Sequence, residues 1–124
     1  MKTSPSFLVV DFHPESRYLL VKTLLRKFPG ATIHECDDAD RATELVHSCA
    51  LAAVVAHRTF DVSGADVVRR FRAADPHVPI IMVSGMDRAE AALEAGATSF
   101  LPYEEWLRIG SVVEAHMNAG AERA

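Results

Sequence analysis

What this 124-residue sequence lacks excludes several classes of protein. No apolar run approaches the ~20 residues that a membrane-spanning helix needs, and the first residues do not form a signal-peptide pattern. The two cysteines, Cys36 and Cys49, lack metal-site spacing, which predicts reduced thiols. The 13 basic and 17 acidic residues give a net charge of -4 without a basic stripe. We therefore expect a cytoplasmic protein with neither membrane nor nucleic-acid partners.

The motifs of the common nucleotide-binding and hydrolytic enzymes are also missing. No G-x-G-x-x-G follows the first apolar segment, and Ser84-Gly85 does not lie in a G-x-S-x-G nucleophile motif. The segment DFHPES, with an acid and a proline, is poorly suited to hold a flavin phosphate. We expect no enzymatic activity, no cofactor and no resident metal.

Strand and helix patterns alternate along the whole chain. The helices are expected at about 14–28, from Asp37 or Asp38 onward, from Ser63 or Gly64 to 74, at 88–94 and at 104–117, and the strands at 7–11, 31–36, 51–56, 79–84 and 98–102. Five consecutive β-α units predict an α/β fold, a doubly wound parallel sheet with helices on both faces. We expect one domain over 1–124, with a core over about 6–118 and a frayed tail over 119–124.

The sequence resembles the receiver domain of bacterial response regulators in two-component signalling. The resemblance rests on FLVVD followed by HPESRYLL, and on SGADVVRRFR, DPHVPIIMVSG and EAGATSFLP. It implies a flavodoxin-like three-layer sandwich with strand order 2-1-3-4-5. It also implies a site above strands one, three, four and five.

At that site the chain departs from the family pattern. The phospho-accepting aspartate of a receiver lies eight residues before the glycine that opens the third helix, and counting back from Gly64 gives Ala56. Asp11 keeps one magnesium-binding acid, but Phe12 replaces its neighbour and Tyr103 replaces the lysine. Ser84 fits the pattern of the hydroxyl residue. We therefore predict a degenerate pocket that is not phosphorylated, because transfer needs a nucleophile and charge compensation.

Several residues near this pocket allow more than one interpretation. His57 is either a substitute phosphoacceptor or a polar residue where a strand meets its loop; strand alternation favours the second, with the side chain directed away from the pocket. Asp11, His13 and His57 could bind zinc together, although nothing in the sequence fixes their distances. Asp61 is more typical of a turn or cap. Phe12 either fills the pocket or lies on the surface.

The region that follows the fourth strand is shorter than the resemblance implies. From Ser84 to Gly96 is twelve residues, where the family usually has about fifteen, so the fourth helix is expected to be short. The expected switch and interaction face carries Phe100, which fits the family's aromatic, Glu104 in place of its usual proline, and Trp106. A helical stripe of Trp106, Gly110, Val113 and Met117 is typical of core packing, or of an interface if exposed.

Three functions remain open on the sequence alone. The leading hypothesis is a pseudo-receiver that presents a fixed surface to another signalling protein or to a second copy of itself. The second is a small-molecule sensor that uses the pocket between strands one and three, with Ser84 and Tyr103 as polar anchors. The third is an ordinary phosphorylated receiver, in which a bulge brings Asp61 to the end of the third strand.

Overall fold

The architecture is taken from a computed structural model, which describes residues 4–59, 62–86 and 88–123, with side chains up to Met117. Strands and helices alternate in the predicted order. The elements are β1 (Ser6–Val10), α1 (Pro14–Lys27), β2 (Thr32–Cys36), α2 (Ala39–Ser48), β3 (Ala53–Ala56), α3 (Gly64–Ala74), β4 (Ile80–Ser84), α4 (Ala89–Ala95), β5 (Ser99–Pro102), the 3₁₀ helix η1 (Tyr103–Arg108) and α5 (Ile109–Arg123).

The five strands form one parallel sheet in the order β2-β1-β3-β4-β5, which confirms the predicted fold class and topology. Alternate residues of each strand enter two separate core clusters. Val10, Ala56 and Met82 belong to the cluster under α2, α3 and α4. Val9 and Val55 belong to the opposite cluster, which packs against α1 and α5. The sheet is therefore buried on both faces, as its near-continuous apolar strands predict.

Local sequence explains where the helices begin and end. Pro14 occupies the first turn of α1, and the Asp38 and Ser63 side chains accept hydrogen bonds from the Arg41 and Asp66 amides at the starts of α2 and α3. Gly96 ends α4 with a φ of 117°, a left-handed conformation that favours glycine. These caps lie at the positions that the sequence predicts.

The largest boundary difference is at the last helix. A regular helix over 104–117 is expected, but the chain first forms η1, with a kink at Glu105, and α5 starts only at Ile109. The helix then continues to Arg123, beyond the start of the predicted frayed tail, because the alanine-rich sequence there suits a helix. The stripe of Trp106, Val113 and Met117 packs against the α1/α5 core cluster, as predicted for core residues.

The fourth helix has seven residues, which confirms that it is short. Cys36 and Cys49 are both free thiols, as predicted, and burial raises the pKa of Cys36 above its usual value. Among the helices described here, none has the length and apolar character needed to cross a membrane.

Candidate functional site

Asp11 is the centre of a buried polar cluster just beyond the end of β1. Its side chain is completely buried. The Oδ1 atom accepts a hydrogen bond from the His13 backbone N–H at 3.0 Å, and Oδ2 accepts one from the Ser16 hydroxyl. His57 Nδ1 lies 2.9 Å from the same Oδ2. Both oxygens of this carboxylate are therefore already engaged by groups of the protein itself.

These contacts determine the charge of Asp11. Burial on its own raises the pKa of a carboxyl group. The hydrogen bonds from His57, Ser16 and the His13 backbone more than offset this effect, so the pKa of Asp11 lies below its usual value. Because a carboxylate only accepts hydrogen bonds, His57 Nδ1 must carry the hydrogen that it shares with Asp11.

His57 joins Asp11 to the end of β5. The imidazole of His57 stacks on the Tyr103 ring with a centroid separation of 4.7 Å and an interplanar angle of 4°. Tyr103 also packs against the α1/α5 core cluster. Ends of β1, β3 and β5 are thus held together by one chain of contacts, Asp11–His57–Tyr103, which we call the polar cluster.

The prediction that His57 is directed away from this pocket is wrong, and it is His57 rather than Ala56 that faces Asp11. The backbone explains why: the His57 N–H donates to the Val10 carbonyl at 2.9 Å, which continues the parallel ladder by one residue. The Ala56 side chain instead packs in the core cluster with Val10 and Met82 and is only 2% exposed. The count back from Gly64 does locate the end of β3, because that strand ends at Ala56, paired with Val10, and His57 is the first residue beyond it.

The other predicted pocket residues lie around the polar cluster. Phe12 is half-buried, and the Arg58 guanidinium carbon lies 5.4 Å from the centroid of its ring. Phe12 takes the place of the family's second acid, and the side chains that hydrogen-bond to the Asp11 carboxylate are those of Ser16 and His57. Ser84 lies at the end of β4, where its Oγ accepts a hydrogen bond from the Met86 N–H at 3.1 Å. Asp61 lies outside the described residues.

Three residues that the sequence does not predict complete the site. Ser16 binds the Asp11 carboxylate, Arg17 Nη1 donates to the Asp11 carbonyl at 2.7 Å, and Arg58 Nε is 3.9 Å from Asp11 Oδ1. A signal for His57 was present, because Val9 and Val55 share one face of the sheet and Asp11 and His57 each follow two residues later. No comparable signal identifies Ser16 or Arg17.

The switch-face residues lie beside β5, which is an edge strand. Phe100 is half-buried and packs on the α2–α4 core cluster. Glu104 is exposed, and Trp106 is half-buried against the opposite cluster. The three side chains therefore lie on the elements next to the sheet edge but not on one common surface.

A family comparison identifies the fold family. Residues 7–104 match the response regulator receiver domain. The chain belongs to this family of two-component signalling domains. No curated protein sequence matches.

Solved structures agree with this fold. The chain is similar to the receiver domain of the response regulator NarL from Mycobacterium tuberculosis, at 23% identity and a TM-score of 0.83, covering 94% of this chain and 98% of that one. It is similar to a CheY-like receiver from Methanospirillum hungatei, at 15% identity and a TM-score of 0.83, covering 98% and 100%. A histidine kinase receiver domain from Pseudomonas aeruginosa, at 19% identity and a TM-score of 0.77, covers 94% and 99% and holds magnesium in its active-site cleft.

The residues of this chain do not suit such a magnesium ion. Magnesium prefers oxygen ligands in octahedral geometry, usually from one or two carboxylates. Here the Asp11 oxygens accept hydrogen bonds from Ser16, His57 and a backbone amide, and Phe12 occupies the neighbouring position. Within the described part of the chain, no three histidine, cysteine or acidic side chains are placed to hold a metal. The zinc interpretation of Asp11, His13 and His57 gains no support from this geometry.

Proposed function

We propose that this receiver domain is a phosphorylation-independent protein-interaction module in bacterial signal transduction. One observation carries the proposal. The carboxylate of Asp11 is engaged by Ser16, His57 and a backbone amide, and the side chains that complete the polar cluster from β3 and β5 are an imidazole and a phenol. The groups that ordinary receivers use for aspartyl phosphorylation are replaced by groups that bind each other.

The chemistry of transfer supports the same conclusion. Aspartyl phosphorylation needs a carboxylate nucleophile and positive charge to offset that of the phosphoryl group. The two candidate positions at the end of β3 are Ala56 and His57, and neither has a carboxylate. Tyr103 offers a hydroxyl where the family pattern has a lysine, so it brings no positive charge. These strand ends therefore lack the nucleophile, and the family's lysine is not replaced by another cation at position 103.

Exposed apolar side chains beside the edge strand support an interaction role. Leu93 on α4 is 49% exposed, and Leu107 on η1 is 64% exposed. These two elements flank β5, one of the two edge strands of the sheet. The expected partner is another signalling protein or a second copy of the chain.

The small-molecule hypothesis loses the space that it needs between β1 and β3. His57, just beyond β3, is hydrogen-bonded to Asp11 and stacked on Tyr103, and Ala56 packs in the core cluster with Met82. The gap between Val10, Ala56, Gly64 and Met82 is too narrow to admit a water molecule. We therefore do not place a ligand in that pocket.

The first experiment tests phosphorylation directly. The full chain is incubated with acetyl phosphate and magnesium, beside an ordinary receiver domain as the positive control, and intact masses are measured. We expect phosphoryl addition to the control alone. Beryllofluoride is expected to leave the amide resonances of Asp11, His57 and Ser84 unshifted. A stoichiometric phosphoryl adduct on this chain would contradict the proposal.

The second experiment tests the interaction face. Sedimentation equilibrium and capture of partners from the native cell are compared for the wild type, Leu107→Glu and Leu93→Glu. The matched control is Tyr18→Glu, because Tyr18 is an exposed residue on the distant helix α1. We expect the association to be lost in the first two variants and kept in the control. Association that survives both substitutions would place the interface elsewhere.

A further inference from the structure

A second hydrogen-bond network lies at the amino ends of β4 and β5, at the opposite end of the sheet from the polar cluster. Its centre is Arg72, in the last turn of α3. Arg72 Nε and Nη2 both donate to the Gly96 carbonyl, at 2.9 and 2.8 Å, and Nη1 donates to the Val78 carbonyl at 2.7 Å. Nη2 also donates to Thr98 Oγ1 at 3.3 Å. One guanidinium group therefore connects α3 with the end of α4 and with the residues just before β4 and β5.

Arg72 differs from the other arginines of α3 in what it binds. Arg69 and Arg70 form exposed ion pairs with Asp66 and Asp40, which are typically weak contacts. The acceptors of Arg72 are backbone carbonyls and one hydroxyl, and its side chain is half-buried. Burial lowers the pKa of Arg72, although a guanidinium group remains charged at neutral pH. Its hydrogen bonds are therefore charge-assisted and hold backbone segments together.

Helix α4 has few other contacts that could hold it in place. It has only seven residues, and its N-cap residue, Arg88, makes no capping hydrogen bond through its side chain. Helices this short are not stable without tertiary contacts. The buried side chains of α4 are those of Ala92 and Ala95, which remove little apolar surface from water. The contact between Arg72 and the Gly96 carbonyl is therefore a large part of what fixes the end of this helix.

The backbone at Gly96 is suited to this contact. Its φ of 117° lies in the left-handed region that favours glycine. A Cβ atom at this position would lie 3.0 Å from Arg72 Cγ and 3.2 Å from Arg72 Cβ, closer than ordinary van der Waals contact. The missing side chain thus lets the stem of Arg72 lie directly against the end of α4.

We propose that Arg72 is a clamp that holds α4 in one position against α3 and so fixes the part of the interaction face that carries Leu93. This inference rests on the proposed function, because a face that phosphorylation does not switch is held in its binding position by other contacts. A partner that recognises only one position of α4 binds most tightly when that position is fully populated.

Amide hydrogen exchange of the isotopically labelled full chain tests the clamp. Arg72→Lys keeps the charge and the stem but lacks the planar fork that reaches several carbonyls. We expect the Gly96 and Ala97 amides, which donate to carbonyls of α4, to exchange at least about tenfold faster in this variant, the loss expected for one charge-assisted hydrogen bond. The amide of Val55, in the central strand β3, should be accelerated clearly less.

The matched control is Arg69→Gln, because Arg69 is an exposed arginine on the same helix, and it should leave both amides of the α4 end unchanged. Equal acceleration at Gly96 and Val55 would show that Arg72 supports the whole fold and would overturn the clamp. Unchanged exchange at Gly96 in Arg72→Lys would overturn it as well.

Relaxation dispersion tests the clamp on the wild type alone. The Ala92, Leu93 and Ala95 amides should show no exchange on the microsecond-to-millisecond timescale, and such exchange should appear in Arg72→Lys. Exchange of α4 in the wild type would refute the proposal even if the variant does not fold. Failure of the proposed function is a separate result: a phosphoryl adduct, or association that survives Leu93→Glu and Leu107→Glu, leaves the exchange data unchanged.

Discussion

At the carboxyl ends of the strands, polar side chains are arranged in two different ways. In the polar cluster, Asp11, His57 and Tyr103 bind or stack on each other and leave no room between them. Above the ends of β3 and β4, by contrast, Arg58, Ser84 and Arg88 line an open cleft. The comparison shows that side chains in contact with each other fill one part of this end of the sheet, whereas the neighbouring part is left open.

The largest expected effect comes from placing a charge in the core next to the polar cluster. Ala56→Asp would bury a carboxylate against Val10 and Met82, and we expect a loss of about 4 kcal/mol in the free energy of unfolding, as for an uncompensated buried charge. Urea unfolding measures the loss. Ala73→Asp, at an exposed position on α3, is the control and should cost less than about 1 kcal/mol. Equal losses would contradict the core position of Ala56.

Removing the central charge should have the next largest effect. Asp11→Asn keeps the volume but weakens the contacts with His57, Ser16 and the His13 amide, and we expect a loss of about 3 kcal/mol in the free energy of unfolding. The control is Asp66→Asn, which breaks an exposed ion pair with Arg69 and should cost at most about 1 kcal/mol. If both variants unfold at the same urea concentration, the polar cluster does not stabilise the fold.

The stabilisation from Asp11 should depend on pH in a defined direction. The pKa of Asp11 is lower in the folded state than its usual value of 3.8. The carboxylate therefore stabilises the fold fully above the unfolded pKa, and this contribution is lost as the pH falls through the folded pKa. The stability difference between wild type and Asp11→Asn should narrow as the pH is lowered from 7 to 3 in urea unfolding. A difference that widens on acidification would be inconsistent with the lowered pKa.

The smallest expected effect is at the aromatic stack. Tyr103→Leu keeps apolar volume but removes the ring that stacks on His57, and we expect a loss of about 1 kcal/mol. A double-mutant cycle with His57→Ala isolates this contact from the burial of either side chain. Tyr18→Leu, at an exposed tyrosine on α1, controls for loss of a phenol. A coupling energy near zero would mean that the two rings lie together without stabilising each other.

The fold could be predicted almost completely from the sequence, while the site could be predicted only in part. Apolar strands, Pro14, the Asp38 and Ser63 caps and Gly96 act through short-range geometry, so they indicate the elements and their order. The sequence points to Asp11 because that residue ends an apolar strand. It does not distinguish the 3₁₀ helix η1 from a regular helix, because acidic residues near the start, Glu104 and Glu105, suit both.

The partners of Asp11 were harder to predict because they depend on three-dimensional register. Ser16 lies on the first turns of α1, and its contact depends on how that helix packs against β1. Strand alternation correctly separates His57 from Ala56. The expectation for His57 fails because it places the polar site on the Ala56 face, whereas the Asp11 carboxylate and the Tyr103 ring meet His57 on the other face.

The hydrogen bond from the His57 amide to the Val10 carbonyl has a consequence for recognising similar proteins. Since strand pairing aligns His57 with Asp11, residues could be inserted into or deleted from the connection before α3 without changing which side chain meets the carboxylate. Relatives with connections of other lengths are therefore best compared by superposing their paired strands. On that basis, chains that carry an imidazole opposite a first-strand acid would form a recognisable subgroup.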